Sequence, residues 1–472
     1  ADTIVHAANP DDHVFEVTAD YVNISGFTVE GVTGGWRAGV YLINVDHCNI
    51  SCNNASNNSY GIWLDHSSNS LLSNNIASSN DHIGIWLDYS SNNNLNNNKA
   101  SNNYNGIFLE DSNGNTLTDN NASNNNYGVN VEFSSNNTLT SNIVDSNSVI
   151  GIDLSLSSNN NFLNKNNVLN NDWWGIGLYS SNNNTLINNI VNFNNDFGIF
   201  IEDSSNNIIN SNIFEKNGIF IKGEELSHYN THTIEGNTVN GRPIYYYKNK
   251  KGIKVPEDSG QVIFANCTDM LVKDINASFA SVGIEVVFTT NSEILNNSAS
   301  NNEYGIWLYK SSKNILKSNT NSDTGYCGIC LSYSKDNEIT NNIVNSNNGW
   351  YGISLADSSN NKISNNNVSS NIWDGVSLYS SNNNKITNNN INSNNRHGVS
   401  LDNSSNNKIY LNNFINNSDN VVSYNSTNIW NSAGKIVYTY NDSICISYLG
   451  NYWDDYKEKY PEAEEIDECG IW

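Results

Sequence analysis

Residues 128–139 read Gly128-Val129-Asn130-Val131-Glu132-Phe133-Ser134-Ser135-Asn136-Asn137-Thr138-Leu139. The phrase at its head, G-[I/V]-x-[L/I/V], recurs in register fifteen times between Gly39 and Gly398. Neighbouring copies stand 22 to 24 residues apart, except for one spacing of 20 before Gly218 and one gap of 65 between Gly218 and Gly283. That gap is about three periods, so the register survives it. Most copies run on into S-S-N-N-x-[I/L]-x-x-N-x-[A/V/I], as Ser134-Ser135-Asn136-Asn137-Thr138-Leu139 does.

Such a period is too short for two helices and their connection, and apolar alternation inside each copy (Ile62 in, Trp63 out, Leu64 in) predicts short strands between polar turns. Each strand meets its equivalent one coil later, so the strands stack in parallel, and parallel crossovers are right-handed almost without exception. The expected fold is an all-β, right-handed parallel β-helix of roughly 18–20 coils, about 90 Å long at about 4.8 Å per coil. One coil buries too few aliphatic side chains to stand alone, and stacking makes the core continuous. Asparagine at equivalent turn positions is expected to form amide ladders along the axis and to accept the left-handed backbone of tight turns.

The organisation read from the repeat is N-terminal coils over 1–223, an irregular stretch with an inserted loop over 224–277, C-terminal coils over 278–430, and a cap with an acidic tail over 431–472. The irregular stretch is basic at Lys248, Lys250, Lys251 and Lys254 and aromatic at Tyr245-Tyr246-Tyr247, and a protruding hairpin is expected near Asn249–Gly252. A docking surface for another subunit is its more specific reading.

Net charge is −25 over 472 residues, and residues 1–210 hold only Arg37, Lys99 and Lys165 against 20 Asp and Glu. An acidic surface of this kind repels phosphate backbones, which argues against nucleic acid and leaves divalent cations, cationic surfaces and neutral glycans as partners. No run of 18 apolar residues marks a membrane span. The seven cysteines, Cys48, Cys52, Cys267, Cys327, Cys330, Cys445 and Cys469, are odd in number and scattered, unlike a disulfide framework. Cys327 and Cys330 form a C-x-x-C, but on a straight strand positions i and i+3 face opposite sides, so the two are not expected to share an ion. Sequons begin at Asn23, Asn49, Asn54, Asn121, Asn136, Asn183, Asn266, Asn276, Asn296, Asn367, Asn403, Asn425 and Asn441, which fits a glycosylated exterior protein.

The repeat resembles the parallel β-helix repeat family grouped as carbohydrate-binding proteins and sugar hydrolases, and more narrowly the NosD-like surface proteins of methanogenic archaea. The segment Gly236-Asn237-Thr238-Val239-Asn240-Gly241-Arg242-Pro243-Ile244-Tyr245-Tyr246-Tyr247 is similar to a mid-helix signature of that family, and Gly450-Asn451-Tyr452-Trp453-Asp454-Asp455-Tyr456 to a C-terminal one. The resemblance implies a fold and a place outside the cell. It leaves the role open among copper-site maturation, surface proteins and glycan-active enzymes. Relative to the family, the chain opens almost at once into Thr3-Ile4-Val5-His6, so either upstream residues precede it or this end docks on something.

With Ile62 and Leu64 inward, Gly61, Trp63 and Asp65 are expected outward. Aligned coils then give an aromatic column (Tyr41, Trp63, Trp86, Phe108, later Phe200, Phe220 and Trp307) beside an acidic one (Asp65, Asp88, Glu110, Glu132, later Glu202). Such stripes offer stacking faces and hydroxyl acceptors to a sugar chain, or oxygen ligands to Ca²⁺; inert ladder packing accounts for them as well. For catalysis, stacked carboxylates about 5 Å apart match a retaining glycosidase, with Asp65, His66 and Asp88 as the candidates. A working site also needs one carboxyl with a raised pKa and groups that stabilise charge, and only Arg37 and Lys99 lie in these coils, neither in the acidic column. Copper wants soft or imidazole ligands, and one methionine (Met270) with scattered His and Cys argues against it; His228, Tyr229 and His232 form a loose cluster.

The preferred reading is a non-catalytic cell-surface scaffold without a cofactor, in which Ca²⁺ is compatible with the acidic column. Self-association, other surface proteins or glycans are the expected partners. A carbohydrate-binding or adhesion module is the near alternative, and a polysaccharide lyase or hydrolase the distant one.

Overall fold

The computed structural model describes residues 3–464 and 469–470. It is a β-solenoid of about 18 turns, and it divides into two compact units, 1–241 and 242–472.

In the first unit one face is a ten-stranded sheet whose strands run from Phe15–Val17 through Tyr60–Asp65 and Tyr127–Glu132 to Ile219–Lys222. Every pairing in it is parallel and in register, one coil to the next. A second ten-stranded sheet runs from Asn23–Ser25 to Thr233–Glu235. The third side starts as single parallel bridges, such as Asn54↔Ile76 and Lys99↔Asn121, and becomes strands at Ile143–Asp145. Aliphatic side chains from the three sides fill the interior. In one coil Ile85, Leu87, Leu95 and Ala100 are all fully buried. Each large aliphatic contributes about 1.5–3 kcal/mol relative to exposure, repeated coil after coil.

The Asn–Asn pairs divide two tasks between adjacent residues. Asn74, Asn97, Asn136 and Asn188 take positive φ (55°, 54°, 61° and 56°), which turns the corner at little steric penalty for this residue type. The residue after each, Asn75, Asn98, Asn137 or Asn189, is buried. Asn75, Asn98, Asn120, Asn142, Asn166, Asn189 and Asn212 form one continuous ladder, each donating from its side-chain amide to the next side-chain oxygen at 2.9–3.0 Å. The expected amide ladders are therefore present, and they satisfy backbone N–H groups as well, since each oxygen also accepts from the preceding ladder residue's backbone.

Late in the first unit, the loop after Ile219–Lys222 holds the one-turn helix Ser227–Asn230. The His228, Tyr229 and His232 cluster lies here and is not gathered for a metal. His232 occupies a ladder position, accepting from the Asn207 backbone N–H at 3.1 Å while its other ring nitrogen meets the His228 carbonyl at 2.8 Å.

The second unit repeats the plan from Arg242–Lys248 through Tyr304–Tyr309 to Asp419–Tyr424, with lateral sheets from Leu271–Lys273 and Thr320–Ser322 onward. No hairpin protrudes near Asn249–Gly252. Lys251 and Lys254 instead bridge in parallel to Thr268 and Leu271, so the segment closes a shortened coil. After the last coil, Ile436–Tyr440 and Ser443–Ser447 form the one antiparallel pair among the described residues, stapled by a Cys445–Cys469 disulfide. None of the thirteen sequon asparagines named above is fully buried, and among them Asn49, Asn54 and Asn121 are partly covered.

Candidate functional site

The chain bends at the glycine that opens each repeat, and the bend decides what the outer face presents. A Cβ on Gly61 would lie 2.8 Å from the Ala55 carbonyl and 2.8 Å from the buried Asn80 amide, and one on Gly128 would lie 2.4 Å from the core Val144 methyl. Gly61 therefore faces inward, correcting the outward placement expected from strict alternation. Only glycine leaves room there. Inward orientation of two successive residues, Gly61 and Ile62, returns the residue before the glycine to the outside, next to residue i+3.

Tyr60 accordingly joins Trp63, with ring centroids 5.8 Å apart. The same geometry brings Cys327 and Cys330 together, and the two are disulfide-bonded. The expectation that i and i+3 diverge fails because it assumes a straight strand.

The aromatic column is in register as expected: Tyr41, Trp63, Trp86 and Phe108 pair across successive coils. Trp63 and Trp86 stack at 4.5 Å and 11° from parallel, and Tyr41 lies 4.7 Å from Trp63. These rings are buried against one another, so their faces are already occupied. The exposed ring is Trp36, in the loop before the strand Ala38–Ile43. It is 62% exposed and lies 6.0–6.4 Å from Tyr60, Trp63 and Trp86. Beside it, Asp12, His13, Glu16, Arg37, Tyr41 and Trp63 line a cavity of about 340 Å³. His13 stacks on Tyr41 at 4.1 Å, and burial together with the Arg37 charge lowers its pKa.

Asp65, Asp88, Glu110 and Glu132 stand in register on four successive coils. Asp65 accepts from the Tyr41 hydroxyl at 2.7 Å and meets His66 at 2.5 Å. Burial, followed by the charge of Asp65, raises Asp88 to about 6, and burial followed by Asp88 and Glu132 raises Glu110. Glu132 accepts from the Asn130 amide at 2.9 Å. The column then breaks at Ser155. Glu202, further along, pairs with Lys222 at 2.7 Å.

Beyond Phe108 the aromatic column is interrupted by Asn130, Asp153 and Gly177 before it resumes at Phe200 and Phe220. Asp153 is raised to about 7, chiefly by burial. Asp88 is among the sequence candidates for a raised carboxyl, whereas Asp153 is not. Trp307 belongs to the second unit, where it stacks on Tyr309 at 5.5 Å.

Sequence reasoning missed Trp36, Tyr60, Asp153 and, in the second unit, the run Tyr351, Asp374 and His397 at the position before the glycine. The available signal was the bulk of that position, where Tyr60, Tyr127, Trp174 and Phe197 recur.

Donors for a soft metal do not converge. Met270 is buried in the aliphatic core. Cys48 and Cys267 are buried with their thiols directed at backbone carbonyls. Among the described residues no three His, Cys, Asp or Glu side chains form a metal-holding group.

Among solved structures, the chain is similar to the Dettilon tailspike protein at 15% identity and TM-score 0.37, covering 51% of this chain and 60% of that one. It is similar to a pectate lyase, Pel9A, at 12% identity and TM-score 0.30, with 48% and 81% covered. It is also similar to the periplasmic alginate epimerase AlgG at 13% identity and TM-score 0.25, with 86% and 84% covered. The match spans about three fifths of the tailspike chain. No curated protein matches the chain. A family model described as periplasmic copper-binding protein (NosD) matches residues 5–137, 111–253 and 235–458, and the chain belongs to that family.

Proposed function

We propose that this NosD-family chain is a non-catalytic β-helix working outside the cytoplasm, and that it holds a glycan against the outer face around Trp36. The observation that carries the reading is the exposed Trp36 indole standing beside the Tyr60, Trp63 and Trp86 stack, with the carboxylates of Asp12 and Glu16 and the Arg37 guanidinium at the adjoining cavity. An exposed ring accepts the C–H face of a sugar while flanking charged groups take its hydroxyls. The buried rings act as a rigid floor, and the amide ladders hold that floor in place. Among the described residues no helix is long and apolar enough to cross a membrane.

Copper enters none of this, since the soft and imidazole donors named above do not fit a copper centre, whatever the family's description. Isothermal titration of neutral and acidic oligosaccharides against the full chain tests the glycan reading. Trp36→Ala is expected to weaken the best ligand about tenfold, the equivalent of losing one stacking contact. Unchanged affinity in that variant would remove the reading.

A laterally assembling scaffold is the second reading, favoured by a specific row of side chains. Ile143, Ile190 and Ile213 follow one another on the third side of the first unit with Asn167 between them, and are 45%, 40% and 52% exposed. A solvent-facing aliphatic ridge of this kind suits contact with another copy. Electron microscopy should show arrays for the native chain and isolated particles for Ile190→Lys/Ile213→Lys; isolated particles for both would discard assembly.

A further inference from the structure

The second unit carries a cluster of a different character, outside both columns. Two residues before the repeat glycines, Trp350 and Trp373 stack one coil apart, with centroids at 5.4 Å and planes within 12°. Tyr351 meets Trp373 edge-on at 6.3 Å. The Arg396 guanidinium, one coil further, lies 4.9 Å over the Trp373 ring. Beneath, Asp374 is buried and accepts from the His397 ring at 2.8 Å and from the His397 backbone N–H at 3.3 Å.

Trp350 and Trp373 are 49% and 37% exposed, so both rings present a face to solvent. The His397–Asp374 pair fixes the strand end from which Arg396 projects. The buried Asp374 carboxylate is taken up by His397, and Arg396 forms no ion pair with any described residue. Its planar fork of N–H donors is held against an indole and directed at solvent.

The wider surroundings favour an anion. Residues 310–408 hold eight Lys and Arg against six Asp and Glu, in a chain whose net charge is −25. On the lateral sheet that follows the far end of these strands, Lys362, Lys385 and Lys408 stand in register on consecutive coils, with Lys362 paired to Glu338 at 2.7 Å.

We propose that Trp350, Trp373 and Arg396 form a binding site for an acidic saccharide chain. The sugar's apolar face rests on the paired indoles, and its anionic group is gripped by the Arg396 fork. Guanidinium and a carboxylate or sulfate match in a two-point hydrogen-bonded geometry, which a lysine cannot reproduce. Stacked rings repeating at the coil spacing suit an extended chain laid along the ridge. The site differs from the Trp36 face in both location and ligand charge, so it stands or falls independently.

The test titrates the full chain with three size-matched oligosaccharides: a uronate oligomer, a sulfated oligomer and a neutral one. The expected result is binding of at least one anionic oligomer at least tenfold tighter than the neutral one, weakened by added salt and lost about tenfold in Arg396→Gln. Arg396→Lys, which keeps the charge and loses the fork, should retain only part of it. Preference between uronate and sulfate names the anion. Arg396 is exposed and outside every core contact, so the variants are expected to keep the wild-type melting transition. Equal binding of the neutral oligomer, unchanged binding in Arg396→Gln, or no binding of either anionic oligomer would each overturn the proposal.

Discussion

Replacing Asn120 with alanine is expected to destabilise the first unit by about 3–5 kcal/mol. Its side chain is fully buried and serves both neighbouring coils. Its oxygen accepts from the Asn98 backbone N–H at 2.9 Å and from the Asn98 amide at 3.0 Å. Its own amide donates to the Leu95 carbonyl at 2.9 Å and to the Asn142 oxygen at 3.0 Å. Alanine removes all four bonds at once and leaves a backbone N–H buried without its acceptor, at about 1–3 kcal/mol for each orphaned group, with a small void added. The natural comparison is Asn94→Ala, on the strand Asn94–Asn96 one coil earlier. That asparagine is exposed, and its loss should stay within about 0.5 kcal/mol. Guanidinium unfolding of the two variants separates the cases, and similar midpoints would mean that the ladder contributes nothing beyond ordinary turn propensity. Because a solenoid's stability is summed over neighbours, the Asn120 variant is also expected to broaden the transition or split it.

The asymmetry between these two asparagines explains why so much of the fold was legible. A period of 22 to 24 residues, with Ile62 and Leu64 alternating around Trp63, admits parallel stacking and little else, and buried amides in such a stack must find partners above and below. Register was legible too, since aligning the glycines alone places Asp65 over Asp88 and Glu110, as the strands do. What escaped was the local bend. Alternation treats Gly61 as one more strand residue, whereas its missing side chain lets the Ala55 carbonyl and the Asn80 amide of the next coil close in from behind. Tyr60 then moves outside and Cys327 meets Cys330. Trp36 escaped for a different reason: it sits in a loop outside the repeat, and periodicity is silent about such residues. Asp153 was hidden because it occupies an aromatic position in a single coil, and a column drawn from the majority residue passes over the exception.

Asp153 supplies the other large expected effect. The carboxyl is 8% exposed. One of its oxygens has no hydrogen-bond partner, and the aspartate packs over Gly177, beside the Trp174 ring. Burial raises its pKa from 3.8 to about 7, the Ser155 hydrogen bond opposes the rise, and the nearby Glu132 charge adds to it. The folded state therefore holds the proton more tightly than the unfolded chain does. Stability is fully present below the unfolded value near pH 4, falls as pH rises toward 7, and stays reduced above that, where the carboxylate is ionised in both states. A rise of this size corresponds to about 4 kcal/mol as an upper bound. Asp153→Asn keeps the shape and cannot ionise, and its amide can donate to the Asn130 oxygen, another buried acceptor without a partner. The variant should thus match the wild type at pH 4 and exceed it by up to about 4 kcal/mol at pH 8, measured by denaturant unfolding at both values. Equal differences at the two pH values would show that ionisation of Asp153 is not what weakens the fold. A confirmed gain would show that the first unit carries a charge its stability does not need. The outer-face notch between Phe108 and Phe200 would then be the next place to look for a bound group that justifies it.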